Sequence, residues 1–580
     1  MKDLYNRVTV QNSKPFWVTL YPTEFWDVTS QCPPKIFVKA LRKPTEAEIS
    51  APVFLALAYG ARGISYWHFS SYYNEGGPCA QSSTAEPGFK KLATNPDLGI
   101  MQPSILSQVF PCPPCSTYDS PSEWGGYRGR GLIDWNGTTW VPNDKWFWTK
   151  NVNDKVKKIG PTLLNLTWQN AGSIQNAAAV TGGFISSAST SPYGIDTAYV
   201  ELAFFSAISD TNYFMLVNRR VKGAEVQDVT VGINRTGLYT ITDLITDSAL
   251  IVGNSCGTGF TFKTRLNPGE GKFFKLTPFS GNLHGLAAID SVCTELTADG
   301  DVTVPSGRQM NFRSASKLKF VANTDVLGSG RSTSKGEFVV KGTVVASGNP
   351  SNPVVFKSAA ASPGEEDWYG VRVEPGGSFK PTRAEFKNAY CGIDYRNSAA
   401  DVVQNCLFQD NYMYGVRDSL NDNLIINRSR FDHAGVYGVY LDLANATVSE
   451  DTFYNVSMAI NAYKSYGQIR NNVITTTTSG FFNAIFGFRA EGQVPSPGTQ
   501  KATFSNDSIS GVFDEAAVIA NGGVVVESCR IWTKLPAILP DPVPLSIGIM
   551  GLGTKATTVR NTTVKMYSSS TSTVPAIQVA

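Results

Sequence analysis

Gly415-Val416-Arg417-Asp418-Ser419 and Gly438-Val439-Tyr440-Leu441-Asp442 are two copies of one pattern, and it runs from residue 370 to 564. A Gly or Ala followed by Val or Ile returns at Val371, Ile393, Val416, Val439, Ile460 and Ile485, in steps of 22, 23, 23, 21 and 25 residues. A second marker, an apolar residue behind a polar turn, keeps the same time: Phe386, Phe408, Phe431, Phe453 and Val473, in steps of 22, 23, 22 and 20. Two registers holding one period over five turns predict a stacked solenoid. The segments between markers are short, β-branched and broken by Asn, Asp, Ser and Gly, which makes each repeat strands and turns. No helical stripe intervenes. The pattern predicts a right-handed parallel β-helix with roughly one coil per 22 residues.

Strand alternation converts the repeat into faces. With Ile393, Val416, Val439, Ile460 and Ile485 inward, the next residues stack outward as Asp394, Arg417, Tyr440, Asn461 and Phe486. Two positions on, a parallel row reads Arg396, Ser419, Asp442, Tyr463 and Phe488. Carboxylates, guanidinium groups and aromatic rings on one face suit a glycan groove, although a solvated sheet face presents the same residue types. Asp394, Arg417, Tyr440, Asp442 and Tyr463 are the candidate substrate-binding residues. Asp394, Arg417 and Asp442 also keep lyase chemistry open. No three Asp fall on adjacent strands, so calcium is not indicated. Asp432-His433 falls in a turn and offers a further acid/base pair.

At 580 residues the chain is too long for one core, and two to four domains are expected. Charged residues make up 17% and the net charge is +3, with no Lys/Arg run, so neither nucleic acid nor an anionic membrane is an expected partner. No apolar run approaches the ~20 residues of a membrane helix. Gly328 to Gly336 is Gly-rich but lacks the Gly-Lys-Ser/Thr ending of a P-loop and reads as a flexible turn between coils. No cofactor and no metal is expected. The nine cysteines are dispersed; Cys391 and Cys406 read as single buried thiols, and Cys79 as a partner of Cys112 or Cys115. The low charge and 11% aromatic content suit an exported all-β protein, whereas Met1 to Arg7 carries no apolar h-region.

The first 170 residues have another character. Phe16 to Leu20 reads as a strand, residues 45–59 as a helix with a Thr45/Glu48 capping box and a stop at Gly60, and residues 63–69 as a second strand. Val152, Val156, Ile159 and Leu163 fall at helical spacing, interrupted at Gly160-Pro161. The runs Pro44-Thr45-Glu46-Ala47-Glu48 and Leu55 to Ile64 resemble the last quarter of TIM-barrel glycoside hydrolases, and Trp146 to Leu166 is similar to their closing helix. The resemblance implies a partial barrel over residues 1–170, with two of the eight βα units a closed barrel needs. It implies a fragment whose missing units and signal peptide lie upstream. By the same resemblance Glu24 takes the place of a catalytic nucleophile, while Trp26 and His68 line a sugar pocket; the acid/base partner would be absent.

Strands with regular turn signals over residues 171–280 predict an antiparallel β-sandwich. Residues 281–295 read as a linker, and residues 296–580 as the β-helix, whose early coils resemble right-handed β-helix proteins of bacterial surfaces and pectate-lyase-like folds. The combined expectation is a mainly β, multidomain, extracellular bacterial protein. It is carbohydrate-active and glycoside-hydrolase-like, but catalytically incomplete in this chain, with a polysaccharide as partner of the β-helix. The alternatives are a non-enzymatic surface module, or lyase or hydrolase activity in the β-helix itself.

Overall fold

The predicted period is the length of one coil in a parallel β-helix. A computed structural model describes residues 16–20, 22, 24–28, 37–41, 43–66, 72–74, 127–135, 139–174, 184–191, 199–208, 211–222, 226–396, 400–420, 423–465, 467–477, 484–491, 502–521, 524–534, 547–552, 557–567 and 577–579. The chain divides into two compact units. One comprises residues up to 234 with 240–249 and 261–278; the other comprises 235–239, 250–260 and 279–580.

In the second unit each coil contributes strands to parallel sheets on different sides. The first sheet includes Trp368–Val373, Ala389–Arg396, Tyr414–Ser419, Tyr437–Asp442 and Met458–Tyr463. The second includes Ala384–Lys387, Leu407–Gln409, Arg430–Asp432 and Thr452–Tyr454. A third holds ten strands from Gln309–Phe312 to Thr558–Arg560. Ile393, Val416, Val439 and Ile460 are partners across adjacent coils, as their spacing requires.

The markers have a packing cause. Phe356, Phe386, Phe408, Phe431 and Phe453 form an interior column with ring centroids 5.1, 5.0, 4.7 and 4.6 Å apart. The Gly before Ile393, Val416 and Val439 leaves room for that column. A Cβ on Gly415 would stand 2.7 Å from Phe431 Cδ1, and one on Gly438 would stand 2.8 Å from Phe453 Cδ1. Where the column ring gives way to Ile474, the small residue becomes Ala459.

The corner between the third and second sheets is made by one residue in the left-handed region, at Asn405, Arg428, Glu450, Asn471 and Asn506. Asn is frequent there because its short polar side chain tolerates this backbone. The next residue is buried and takes an N–H from the preceding coil. Ser429 N donates to Asp451 Oδ1 (2.6 Å), Asp451 N to Asn472 Oδ1 (2.9 Å) and Asn472 N to Asp507 Oδ1 (2.6 Å). Burial pushes the Asp507 carboxyl up to about 7, against the opposing hydrogen bonds from Asn472. A carboxyl whose pKa is raised by folding keeps its proton while the unfolded chain loses it. Stability therefore falls as pH rises from about 4 to about 7. Asp507→Asn keeps the acceptor oxygen without that titration. It is expected to gain on the wild type across this window by on the order of 1 kcal/mol or more, read from denaturation midpoints at the two pH values.

Three readings of this region need correction. The coil from Ile460 to Phe488 is 28 residues long, so Phe488 and not Ile485 takes the inward place. Asn461 then pairs with Arg489 and Tyr463 with Glu491, while Phe486 and Phe488 are buried and leave the outward rows. In the second sheet Ile474, not Val473, continues the phenylalanine column; Val473 points out, 45% exposed, because strand parity follows Phe453. Residues 281–295 are no linker. Leu283–Ser291 is a strand, parallel to its neighbours, with Leu283, Ala287 and Ile289 in the core, and Cys256 is disulfide-bonded to Cys293. Cys391 and Cys406 are free and buried, as read from the sequence.

In the first unit Trp17–Leu20 and Gly63–Tyr66 pair in parallel, with the helix Glu46–Ala58 between them. Its Thr45/Glu48 capping box is present, and Gly60 follows its end at φ +83°. The helix Asp144–Leu164 runs on through Pro161 rather than breaking there. The Arg62 guanidinium donates to Leu163 O, Leu164 O and Leu166 O, tying down the carbonyls at that helix end. Trp168–Ser173, Val200–Ile208, Thr211–Asn218 and Gly271–Pro278 make an antiparallel sheet. Ala203, Met215, Val217 and Phe273 on one face join Val53, Phe54, Leu57, Val152 and Ile159 of the helices. Phe184, Phe204, Phe214, Phe262 and Phe274 cluster separately. Antiparallel strands thus fill the span expected of the sandwich, Ile185–Ser191 pairing with Gln227–Asp243, while helices lie against one face of the sheet and Phe184 and Phe262 against the phenylalanines of the other. The expected partial barrel is not found. Among the described residues one βαβ unit is present, and its helix, Glu46–Ala58, packs on the antiparallel sheet as well as on the parallel pair. Glu24–Val28 lies antiparallel between Phe37–Leu41 and Tyr127–Arg130.

Candidate functional site

The outer face of the first sheet gathers the polar residues that the repeat predicted. Asp394, Arg417, Tyr440 and Asn461 are partners in successive coils, and beside them run Arg396, Ser419, Asp442 and Tyr463. The strand alternation continues in both directions. Arg372 pairs with Asp394 on one side, and Arg489 and Glu491 extend the two rows on the other.

Each arginine of this face meets a carboxylate. Arg372 Nε donates to Glu337 Oε2 (2.7 Å), and its Nη1 to Glu374. Arg396 bonds Asp394 Oδ2 through Nε (2.9 Å) and Nη2 (2.5 Å). Arg489 Nη2 lies 3.0 Å from Glu491, and Arg417 Nη2 lies 3.9 Å from Asp442. Asp394 is 1% exposed. Burial pushes its carboxyl up to about 6, opposed by the charges of Arg417, Arg331 and Arg372. Burial likewise raises Glu337, opposed first by Arg372. The adjacent Cys391 thiol is pushed well up by burial, which leaves it inert.

Tyrosines border the charged rows. Tyr369 stacks on Tyr390 (5.4 Å between centroids), and Tyr414 on Tyr437 (5.4 Å, 13° between planes). Tyr440 packs edge-on to Tyr437 at 5.1 Å, and Arg417 lies 5.7 Å from the Tyr414 ring centre. These rings are half-buried, so their faces remain partly open. Such a row offers flat apolar platforms beside hydrogen-bonding groups.

The Gly328–Gly336 loop, expected to be a flexible turn, is tied down. Ser329 N donates to Asp325 Oδ2 (2.8 Å), Ser329 Oγ to Asp301 Oδ2 (2.7 Å), and the amides of Arg331 and Ser332 to Glu337 Oε1. Glu337, fully buried, is held by this loop on one side and by Arg372 on the other. The loop therefore brings Arg331 within electrostatic reach of Asp394 and Tyr369.

All five β-helix residues selected from the sequence, Asp394, Arg417, Tyr440, Asp442 and Tyr463, lie on this one face. Glu24 and Trp26 belong to the strand Glu24–Val28 of the other unit, and His68 lies outside the described residues, as do Cys79, Cys112 and Cys115. Asp432 ends the strand Arg430–Asp432 of the second sheet and His433 opens the turn after it at φ +50°, with His433 Nδ1 2.9 Å from Asp432 Oδ1. Sequence reasoning passed over Tyr414 and Tyr437, although both stand directly before the repeating Gly. It also passed over Arg489 and Glu491, which the longer coil put out of register.

Residues 367–474 match the family described as the right handed beta helix region. No curated protein matches the sequence. Among solved structures the chain is similar to the catalytic unit of a thermostable GH87 alpha-1,3-glucanase from Streptomyces thermodiastaticus strain HF3-3. That match has 9% identity and a TM-score of 0.25, covering 62% of this chain and 91% of the other. It is also similar to two catalytic domains of GH87 alpha-1,3-glucanase variants in complex with tetrasaccharides. One has 10% identity and a TM-score of 0.21 over 72% of this chain and 95% of that one. The other has 11% identity and a TM-score of 0.20 over 66% and 92%. The coils from Trp368 to Tyr463, which carry most of the polar face, therefore lie in a right-handed β-helix region.

Proposed function

We infer that the outer face of the first sheet binds a polysaccharide laid along the coils, and that the protein is carbohydrate-active in an extracellular setting. One observation carries the reading. Asp394 Oδ1, Arg417 Nε, Ser419 Oγ, Asn461 Oδ1 and Arg489 Nε are buried polar atoms without a hydrogen-bond partner in the protein, and all five belong to this face. Buried polar atoms are ordinarily paired, so such a concentration marks a face whose hydrogen-bonding capacity the protein itself leaves unfilled. The five include donors and acceptors, and sugar hydroxyls do both. The tyrosines provide stacking surfaces beside them. The Cys256–Cys293 disulfide supports an oxidising compartment.

Tyr440→Ala combined with Tyr463→Ala is expected to weaken retention on the bound glycan by about tenfold, the loss of roughly 1.4 kcal/mol of stacking and contact. Affinity electrophoresis of the full chain measures this. Unchanged mobility would reject the face as the binding surface.

A second reading, cleavage on the same face, is favoured by the Asp394 carboxyl, which is held near the pH range where a group can both give and take a proton. Product analysis separates the readings. New reducing ends alone mean hydrolysis, unsaturated uronates mean lyase chemistry, and retention without products means binding.

A further inference from the structure

We propose that the glycan taken by this face is neutral, and that the face excludes polyuronates and sulfated chains. The inference rests on the binding reading above and specifies its substrate class. Arg372, Arg396, Arg417 and Arg489 all stand within ion-pair distance of carboxylates on the same face. An anionic chain would have to compete with Glu374, Asp442 and Glu491, each held beside its guanidinium and each part-exposed. It would also bring its own charge against theirs. A guanidinium matched by one carboxylate still has further N–H groups to donate, but little net attraction for an anion. Paired in this way, the two groups present donors and acceptors side by side. That arrangement fits neighbouring hydroxyls on an uncharged sugar ring. With Arg331, which acts on Asp394 electrostatically, five arginines face the five carboxylates Glu337, Glu374, Asp394, Asp442 and Glu491, so the face stays balanced. The stacked pairs Tyr369/Tyr390 and Tyr414/Tyr437 add an attraction that needs no charge on the ligand.

The test is affinity electrophoresis of the full chain through gels containing β-glucan, α-glucan, mannan or xylan, against gels containing polygalacturonate, at low and high salt. The expected result is retardation by at least one neutral polysaccharide, with an apparent Kd that changes less than about twofold with salt, since screening acts on net charge. Polygalacturonate is expected to give no retardation. Retardation by polygalacturonate that collapses in salt would overturn this inference and leave glycan binding standing. Retardation by none of them would overturn both. A charge-releasing variant probes the cause. Asp442→Asn with Glu491→Gln unpairs Arg417 and Arg489, and is expected to create salt-sensitive retardation by polygalacturonate. If folded variant protein still ignores polygalacturonate, the carboxylates are not what excludes it, and the inference fails.

Discussion

Phe431→Ala is expected to lower the stability of the β-helix by about 3–5 kcal/mol, the largest effect of any single side-chain truncation proposed for this protein. Phe431 is fully buried, with its ring 4.7 Å from Phe408 and 4.6 Å from Phe453 at interplanar angles of 7° and 5°. Truncation removes two stacked contacts at once and opens a cavity in the middle of the column. The coil cannot readily close over it, because hydrogen bonds to both neighbouring coils fix its spacing. The measurement is the shift in the urea midpoint, followed by circular dichroism at 218 nm or thereabouts, where β structure absorbs. Phe431→Leu serves as the control and should cost less than half as much, since Leu refills most of the volume. Equal losses for the two variants would show that ring stacking, not cavity volume, dominates.

Gly370→Ala is expected to cost about 3 kcal/mol or more, although it adds a single methyl group. Two penalties coincide there. Gly370 has φ +127°, a backbone that residues with a Cβ rarely adopt, and its Cβ would lie 1.6 Å from Cys391 O of the next coil. That oxygen is backbone and cannot swing away, so adjacent strands of the first sheet must part. Gly415→Ala is milder in this account. Its Cβ would meet Gly438 O at 2.6 Å and Phe431 Cδ1 at 2.7 Å, but its φ is not in the positive range. Hydrogen exchange should show faster opening of Trp368–Val373 and Ala389–Arg396 in Gly370→Ala. Because Tyr369 and Arg372 flank the site, glycan retention should fall with it. Protection equal to the wild type would contradict the packing described.

How much of this was legible beforehand follows from physical range. The coil period is local and repeated, so a few Gly-Val and Phe positions revealed it, and the order Asp394, Arg417, Tyr440, Asn461 came with it. The order failed at Phe486 because the coil ahead of it is longer, and a count of residues cannot say where added residues bulge out. The αL corners at Asn405, Asn471 and Asn506 were visible only as turn-forming residues, and the hydrogen-bonded row of Asp451, Asn472 and Asp507 behind them was not visible at all. In the first unit the capping box at Thr45 and the stop at Gly60 were correctly read, because caps are local. The same motif does not encode which sheet its helix will cover, and that choice separated a βαβ unit on an antiparallel sheet from the expected barrel. The linker reading failed for a related reason. Leu283, Ala287 and Ile289 do not follow the 22-residue period, yet Leu283 pairs with Ala298 of the first coil, and Ala287 and Ile289 pair with Ile251 and Gly253. Arginine–carboxylate pairing on the polar face depended on side-chain reach between coils, and composition alone shows only that both charges are present.

The binding face itself is best tested by hydroxyl-radical footprinting of the full chain, with and without the neutral polysaccharide that retards it most. The account predicts reduced oxidation of Tyr414, Tyr437, Tyr440 and Tyr463 on the first sheet. Tyr454 on the second sheet and exposed Trp532 should be oxidised as before. Protection of Trp17 and Trp140 in the other unit, with those four tyrosines unchanged, would place the glycan elsewhere and contradict the account.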